Sequence, residues 1–212
     1  MFRNLITESK RETNKKALEF FPLEPVWDKK KEWVLEIGPG KGEFLLWLAA
    51  EQPQKFFIVI EIKKGRFNKI TKKIEARKLE NIILVRGDAR VCLPELFKED
   101  ALSEAFILFP DPWPKRRHHK HRLLQLDLVK QIHQFLKPGA MAWIATDHEN
   151  YAQQIQSVFP EQDWQYQEGK SLYPTYFETK WKNLGREIFY FCFIKRPDTK
   201  YPAPPVHDRL RG

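Results

Sequence analysis

Three features of this 212-residue chain predict an α/β domain built on a mostly parallel sheet: short continuous apolar runs, helical spacing between those runs, and a glycine-rich turn directly after the first run. The runs are Trp33-Val34-Leu35-Glu36-Ile37, Phe56-Phe57-Ile58-Val59-Ile60, Ile82-Ile83-Leu84-Val85 and Phe106-Ile107-Leu108-Phe109. Each has strand length and little alternation, as expected for strands covered on both faces. Ala140-Met141-Ala142-Trp143-Ile144-Ala145 reads as a fifth strand, and Ile188 to Ile194 as a late strand of the same sheet. Between the runs, Phe44, Leu45 and Leu48, then Phe67, Ile70 and Ile74, then Leu123, Leu126, Val129 and Ile132 recur at helical spacing, the last set in a helix starting near Arg122. There is no internal repeat or low-complexity tract.

The length suits one domain with a core that needs no disulfide or metal. We assign that domain to residues 17–196. Residues 1–16 are polar, mixed in charge and aperiodic, and read as a flexible basic arm, while 197–212 form a Pro-rich tail. The net charge of +9 favours a polyanionic partner. Cys92 and Cys192 lie in apolar sequence without metal-ligand spacing, so they read as buried reduced thiols in a reducing cytoplasm. No run approaches the roughly 20 apolar residues of a membrane span, and no signal-peptide core follows the first charges, which predicts a soluble protein with no membrane partner.

The densest chemical signal is Pro110-Asp111-Pro112-Trp113-Pro114, followed without a break by Lys115-Arg116-Arg117-His118-His119-Lys120-His121-Arg122. Alternating prolines stop the preceding strand, which puts Asp111 at a carboxyl end, and ligands of open α/β sheets bind in the crevice beyond those ends. The cations that follow suit a phosphate backbone better than they suit a merely solvated face, because they adjoin Asp111. The clustered histidines have no carboxylate or cysteine partner at metal spacing, so no obligate metal is expected.

A second constellation follows the first strand. Glu36-Ile37-Gly38-Pro39-Gly40-Lys41-Gly42 carries glycines that let backbone approach a ligand closely. Its spacing is not that of a dinucleotide site, and Glu36 would repel a pyrophosphate while suiting a cation. Glu61 ends the second strand, where a carboxylate can accept both hydroxyls of a ribose, and Asp88 follows the third, where it can meet an adenine amino group. S-adenosylmethionine satisfies all three acids.

With Leu35 to Gly42, Glu61, Gly87-Asp88-Ala89, Pro110 to Lys115, Thr146-Asp147 and Thr175-Tyr176-Phe177-Glu178 in view, the chain resembles the class I S-adenosylmethionine-dependent methyltransferases. More narrowly it is similar, over nearly its whole length, to the bacterial tRNA (guanine-N7)-methyltransferase family. The glycine motif is widespread among methyltransferases, whereas the proline-aspartate-tryptophan run with its basic tail is specific to this family. The resemblance implies a Rossmann-like class I methyltransferase fold, with a mostly parallel central sheet flanked by helices and a late antiparallel strand. It implies that Glu36, Gly38, Gly40, Gly42, Glu61, Asp88, Ala89 and Asp111 bind the cofactor, with Asp111 catalytic. It also implies that Lys115, Asp147, Thr175, Tyr176, Phe177 and Glu178 meet the substrate, joined by Arg116, Arg117, His118, His119, Lys120, His121 and Arg122 as the RNA-gripping run. His121 departs from the pattern, where an arginine is common. The implied activity is N7 methylation of a tRNA guanosine, in the variable loop, by a monomer or homodimer. The alternatives are a small-molecule methyltransferase with an incidental basic surface and a noncatalytic RNA-binding adaptor.

Guanine N7 carries a lone pair and no proton, so its methylation needs no obligatory general base, and positioning should dominate. Asp111 or Asp147 can stabilise the positive charge that grows on the imidazole ring, and either can accept guanine's N1–H and amino protons. A base held in tertiary pairing must be exposed first, with Trp113, Tyr173, Tyr176 or Phe177 available to stack on it.

Overall fold

A computed structural model describes residues 31–197, together with the backbone of Thr7–Glu8, Lys10–Glu12 and Lys15–Ala17. The strands are β1 (Trp33–Ile37), β2 (Phe56–Glu61), β3 (Ile82–Arg86), β4 (Leu102–Leu108), β5 (Leu136–Thr146), β6 (Trp164–Glu168) and β7 (Phe189–Lys195). The helices are α1 (Glu43–Glu51), α2 (Lys64–Arg77), α3 (Ala89–Leu96), α4 (Leu126–Phe135), α5 (Glu149–Val158) and α6 (Tyr176–Asn183), with a 3-10 turn over Arg116–His121. The sheet order is β3-β2-β1-β4-β5-β7-β6. The first five strands are parallel, β7 runs antiparallel to β5, and β6 antiparallel to β7. Thr7–Glu8 pairs in parallel outside β3 and Lys10–Glu12 pairs with Lys15–Ala17. The rest of the expected N-terminal arm, and the tail from 198 onward, lie outside the described residues.

Period-two alternation divides the sheet's side chains between two helical layers. Val34, Phe57 and Val59 face α1 and α2, packing with Phe44, Phe67 and Ile70. Leu35, Ile58 and Ile107 face the other layer, where Leu93 of α3, Leu128 of α4 and Ile155 of α5 meet them. By the same alternation Glu36 and Glu61 project to the α1 side, on neighbouring strands whose register sets Glu36 against Val59.

Four local expectations are revised. β4 starts at Leu102, four residues before the apolar run, because its polar residues are satisfied: Ser103 Oγ donates to the Trp33 carbonyl at 2.9 Å and Glu104 pairs with Lys55. β5 starts at Leu136, which registers against Leu102, while exposed Pro138 and Gly139 bulge before Met141 resumes opposite Glu104. α4 begins at Leu126 rather than near Arg122, with Leu126 exposed. β6 has no counterpart in the apolar runs, since Trp164-Gln165-Tyr166-Gln167-Glu168 is an edge strand whose signal is alternation. Cys92 and Cys192 are buried free thiols, and burial pushes them up to about 12 and about 11. Among the described residues no helix is long and apolar enough to cross a membrane.

The segment between β6 and β7 that reaches over the strand ends depends on Gly169. A β-carbon there would lie 2.6 Å from the Phe191 nitrogen and 2.7 Å from the Tyr190 carbonyl carbon, both backbone atoms of β7. Gly169→Ala should therefore destabilise the fold by about 1–3 kcal/mol and lower the melting temperature by several degrees, at roughly 2–4 °C per kcal/mol for a chain of this size. An unchanged calorimetric melt would contradict this packing.

Candidate active site at the carboxyl ends of the strands

Strand order reverses between β1 and β4, the place where an open α/β sheet leaves a crevice beyond its strand ends. The glycine turn forms one wall. Gly40 (φ 61) and Gly42 (φ 76) adopt left-handed backbone, and Gly42 caps α1. At Gly40 an added β-carbon would lie 3.0 Å from the Phe177 ring, so glycine also permits that ring's approach. An open cleft of about 310 Å³ runs between Glu36, Gly38, Gly40, Phe44, Phe109 and Phe177. A second cleft of about 310 Å³ lies beside it, lined by Trp143, Lys170, Tyr173, Glu178 and Tyr190, and the two share Leu108, Phe109 and Thr175.

Two buried carboxylates face the first cleft's side of the sheet. Glu36 is 4% exposed and Glu61 1% exposed, and Oε2 of each has no hydrogen-bond partner. Glu61 Oε1 accepts from the Lys63 backbone N–H at 2.7 Å. Burial, reinforced by repulsion from Glu61, pushes Glu36 up to about 8. Burial also raises Glu61, against the Lys63 N–H and the Arg66 cation. An unsatisfied buried carboxylate oxygen costs about 1–3 kcal/mol or more, which a ligand bearing an ammonium and a ribose diol would relieve. These residues therefore fit S-adenosylmethionine: Glu36 is suited to the ammonium and Glu61 to the ribose hydroxyls. When bound, that cofactor supplies an electrophilic sulfonium methyl.

Asp88, expected at the adenine, caps α3 through the Arg90 N–H and also takes Arg90 Nε at 3.0 Å and Nη2 at 2.7 Å. Its neighbour Ala89 is buried at the first turn of α3. Asp111 stands exposed on the lip, its Oδ2 3.6 Å from Lys63 Nζ. The backbone around it is strained: Phe109 has φ 53 and Trp113 φ 43, conformations that cost of order 1–3 kcal/mol each unless surroundings enforce them. The Phe109 N–H donates to the Ala145 carbonyl at 2.8 Å, and Arg122 Nε donates to the Pro112 carbonyl at 2.8 Å.

Arg122 is the main correction to the expected RNA-gripping run. It is 1% exposed, its guanidinium donates to Gln154 Oε1 at 2.7 Å and Asn150 Oδ1 at 3.0 Å on α5, and it lies over the Tyr151 ring. It pins the Asp111 loop to α5 and offers no face to a phosphate. His119 turns toward the Arg122 guanidinium, while His118 and His121 pack on the Trp113 ring. Arg116, Arg117, Lys120 and His121 remain exposed on the 3-10 turn, as does Lys115 at its entry. Among the described residues no group of three or more His, Cys, Asp or Glu side chains is arranged to hold a metal.

Thr175 caps α6 by accepting the Glu178 N–H at 3.1 Å, a Ser/Thr-x-x-Glu signature present in the sequence. The Glu178 carboxylate, 3% exposed, instead accepts from Lys182 Nζ at 2.6 Å and the Tyr190 hydroxyl at 2.7 Å. Burial alone would raise it, but Lys182, Ser171 and Tyr190 outweigh burial and hold it below its ordinary value. Tyr176 docks on α1, its N–H donating to Glu43 Oε2 at 2.8 Å and its ring lying under Lys41 Nζ. Asp147 is paired with Arg186, which stacks on Trp181. Of the candidate stacking rings, Tyr173 is already stacked on Trp47 and Phe177 lies against Gly40, leaving Tyr176 and Trp113 the more exposed. Lys63, Arg186 and Tyr190 were not legible from sequence, since each acts through a partner distant in the chain or in another element; Lys182 pairs with Glu178 one turn away in α6, an i,i+4 spacing the sequence does contain.

A family described as "Putative methyltransferase" matches residues 30–191. The tRNA (guanine-N(7)-)-methyltransferase of Nitrosococcus oceani is 35% identical over 182 residues, 84% of this chain and 77% of that protein. The chain belongs to the tRNA (guanine-N(7)-)-methyltransferase family. Its namesake in Thermotoga maritima is also 35% identical, over 80% of this chain, but this match spans only 56% of that longer protein. In fold the family member described here is similar to the 16S rRNA methyltransferase KamB, at 17% identity and a TM-score of 0.63, over 86% of this chain and 97% of that one. The likeness confirms a class I methyltransferase fold, as the sequence predicts.

The raised Glu36 carboxyl makes ligand-free stability pH-dependent. The folded state holds a proton between the ordinary 4.5 and about 8 that the unfolded state releases, so stability is fully present below 4.5 and falls as pH rises to about 8. The melting temperature should fall less steeply between pH 5 and pH 8 in Glu36→Gln than in the native sequence. Parallel curves for the two proteins would show that Glu36 is not buried against its charge.

Proposed function

We propose that this chain transfers a methyl group from S-adenosylmethionine to N7 of a guanosine in tRNA, with the variable-loop guanosine as its target. The observation that carries this reading is the meeting of two clefts at Leu108, Phe109 and Thr175, one fitted to the cofactor and one bounded by Glu178 and Tyr190, with Asp111 on the lip. Glu36 and Glu61 hold the ammonium and ribose ends, and the Gly38 to Gly42 turn admits the ligand to the backbone. The exposed guanine enters the second cleft, where Glu178 keeps its charge and can accept base N–H protons. Asp111 orients the base or stabilises the charge growing on its ring, and no proton need leave N7. Asp147 can share that task if Arg186 yields. Lys115, Arg116, Arg117 and Lys120 grip phosphates around the opened base. Two buried free thiols support a cytoplasmic setting.

The direct test is incubation of the protein with unmodified tRNA and methyl-labelled cofactor, followed by nucleoside mapping. Label in N7-methylguanosine at the variable loop is expected; turnover on free guanosine would favour a small-molecule enzyme, and tRNA binding without transfer an adaptor. Asp111→Asn keeps shape but not charge, and should slow single-turnover transfer roughly a hundredfold with both ligands still bound. A rate near that of the native sequence would remove Asp111 from the chemistry.

A further inference from the structure

The shaft of α2 is charged beyond anything the fold requires. Lys64, Lys69, Lys72, Lys73 and Arg77 are exposed and Arg66 is half-buried, while Phe67, Ile70 and Ile74 pack into the core and Glu75 is the helix's only acid. The arrangement opposes the helix's own electrostatics. Its N-cap is Lys63 with no side-chain cap, and its first turn has no acid, so cations sit at the positive end of the dipole. Arg66, Lys69, Lys73 and Arg77 fall at i, i+3, i+7 and i+11, one stripe of like charges whose neighbouring pairs each cost a few tenths of a kcal/mol. Lys73 Nζ is tied to the Lys41 carbonyl at 2.7 Å, but Lys64, Lys69, Lys72 and Arg77 form no ion pair recorded among the described residues.

The helix is also placed for a purpose. Its entry residue Lys63 lies 3.6 Å from Asp111, so the helix starts at the lip of the site and carries the stripe down the flank for about 16 Å at 1.5 Å per residue. The 3-10 turn brings cations to Asp111 from the β4 side, and α2 brings them from the β2 side. We propose that the exposed face of α2 is a second phosphate-backbone contact for the RNA substrate, engaging a part of the molecule away from the methylated base. This rests on the proposed tRNA activity and adds to it a footprint larger than the target loop. Such a face reads no sequence, because ammonium groups on flexible stems contact phosphates rather than base edges.

The test is Lys69→Gln, Lys72→Gln and Arg77→Gln combined, since glutamine keeps helix propensity and none of the three touches either cleft. Fluorescence anisotropy would follow binding of full-length unmodified tRNA and of an isolated variable-loop hairpin across a salt series, with thermal melting as a folding control. For full-length tRNA the plot of log affinity against log salt should become shallower by about 0.7–0.9 per lost contact, or roughly ten- to a hundredfold weaker binding near 0.1 M salt. Hairpin affinity, cofactor affinity and the single-turnover rate at saturating tRNA should stay as in the native sequence. A folded variant with unchanged affinity and salt slope, from a native protein that methylates tRNA, would overturn the second contact alone. A native protein that binds phosphatidylserine vesicles through this face but no tRNA would overturn both the contact and the proposed substrate.

Discussion

Placing two carboxylates under the surface at the ends of adjacent parallel strands is the constraint on which this site depends. Glu36 and Glu61 project to one face of the sheet, deep enough that water does not reach their Oε2 atoms; burial raises the cost of ionising both, and Glu61 adds to that cost at Glu36. A fold selected for stability alone would put hydrophobic side chains there. The surrounding features make sense as means of admitting a cationic, hydroxyl-bearing ligand to those oxygens. The glycines lower the wall, the strand-order reversal opens the crevice, and α6 brings Phe177 against Gly40 and Tyr176 against α1 to close its far side.

The Asp111 loop shows a division of labour within one basic run. Lys115, Arg116, Arg117 and Lys120 face solvent, whereas Arg122 turns inward and spends its donors on Pro112, Asn150 and Gln154. That inward arginine is what a strained loop requires: with Phe109 and Trp113 both at positive φ, the segment keeps its shape only if its surroundings over-determine it. A guanidinium can satisfy several acceptors on two elements at once, which an ammonium cannot do with the same rigidity. Charge density in the sequence thus mixes solvent-facing cations with one that serves as a scaffold.

Much of the fold was legible because the parallel strands are apolar runs buried on both faces. β1 and β2 match their runs almost residue for residue, and Glu61 ends β2 as expected. The edges were less legible for a physical reason. β6 is an edge strand with only Trp164 buried, so it has no apolar run to read, and the start of β4 is polar because Lys55 and a backbone carbonyl satisfy it across the sheet. In the candidate site, the positions of Glu36, Glu61 and Asp111 at or just beyond strand ends were legible because each is set by its own strand. Arg122 was misassigned because composition cannot say which way a cation points. Glu178 was located by resemblance, and its bond to Lys182 is a local i,i+4 pair within α6, but its bond to Tyr190 depends on β7 passing α6, a contact no local pattern encodes.

The central claim, that Glu36 is held buried and protonated for a cationic ligand, has a direct thermodynamic signature. At pH 7 a carboxyl raised to about 8 carries its proton in the free protein, and a bound ammonium must expel it. Calorimetric titration with S-adenosylmethionine in buffers of different ionisation enthalpy counts that proton. The account predicts net proton release of up to about one equivalent, greatly reduced in Glu36→Gln. Binding without proton release, or release unchanged by Glu36→Gln, would contradict it.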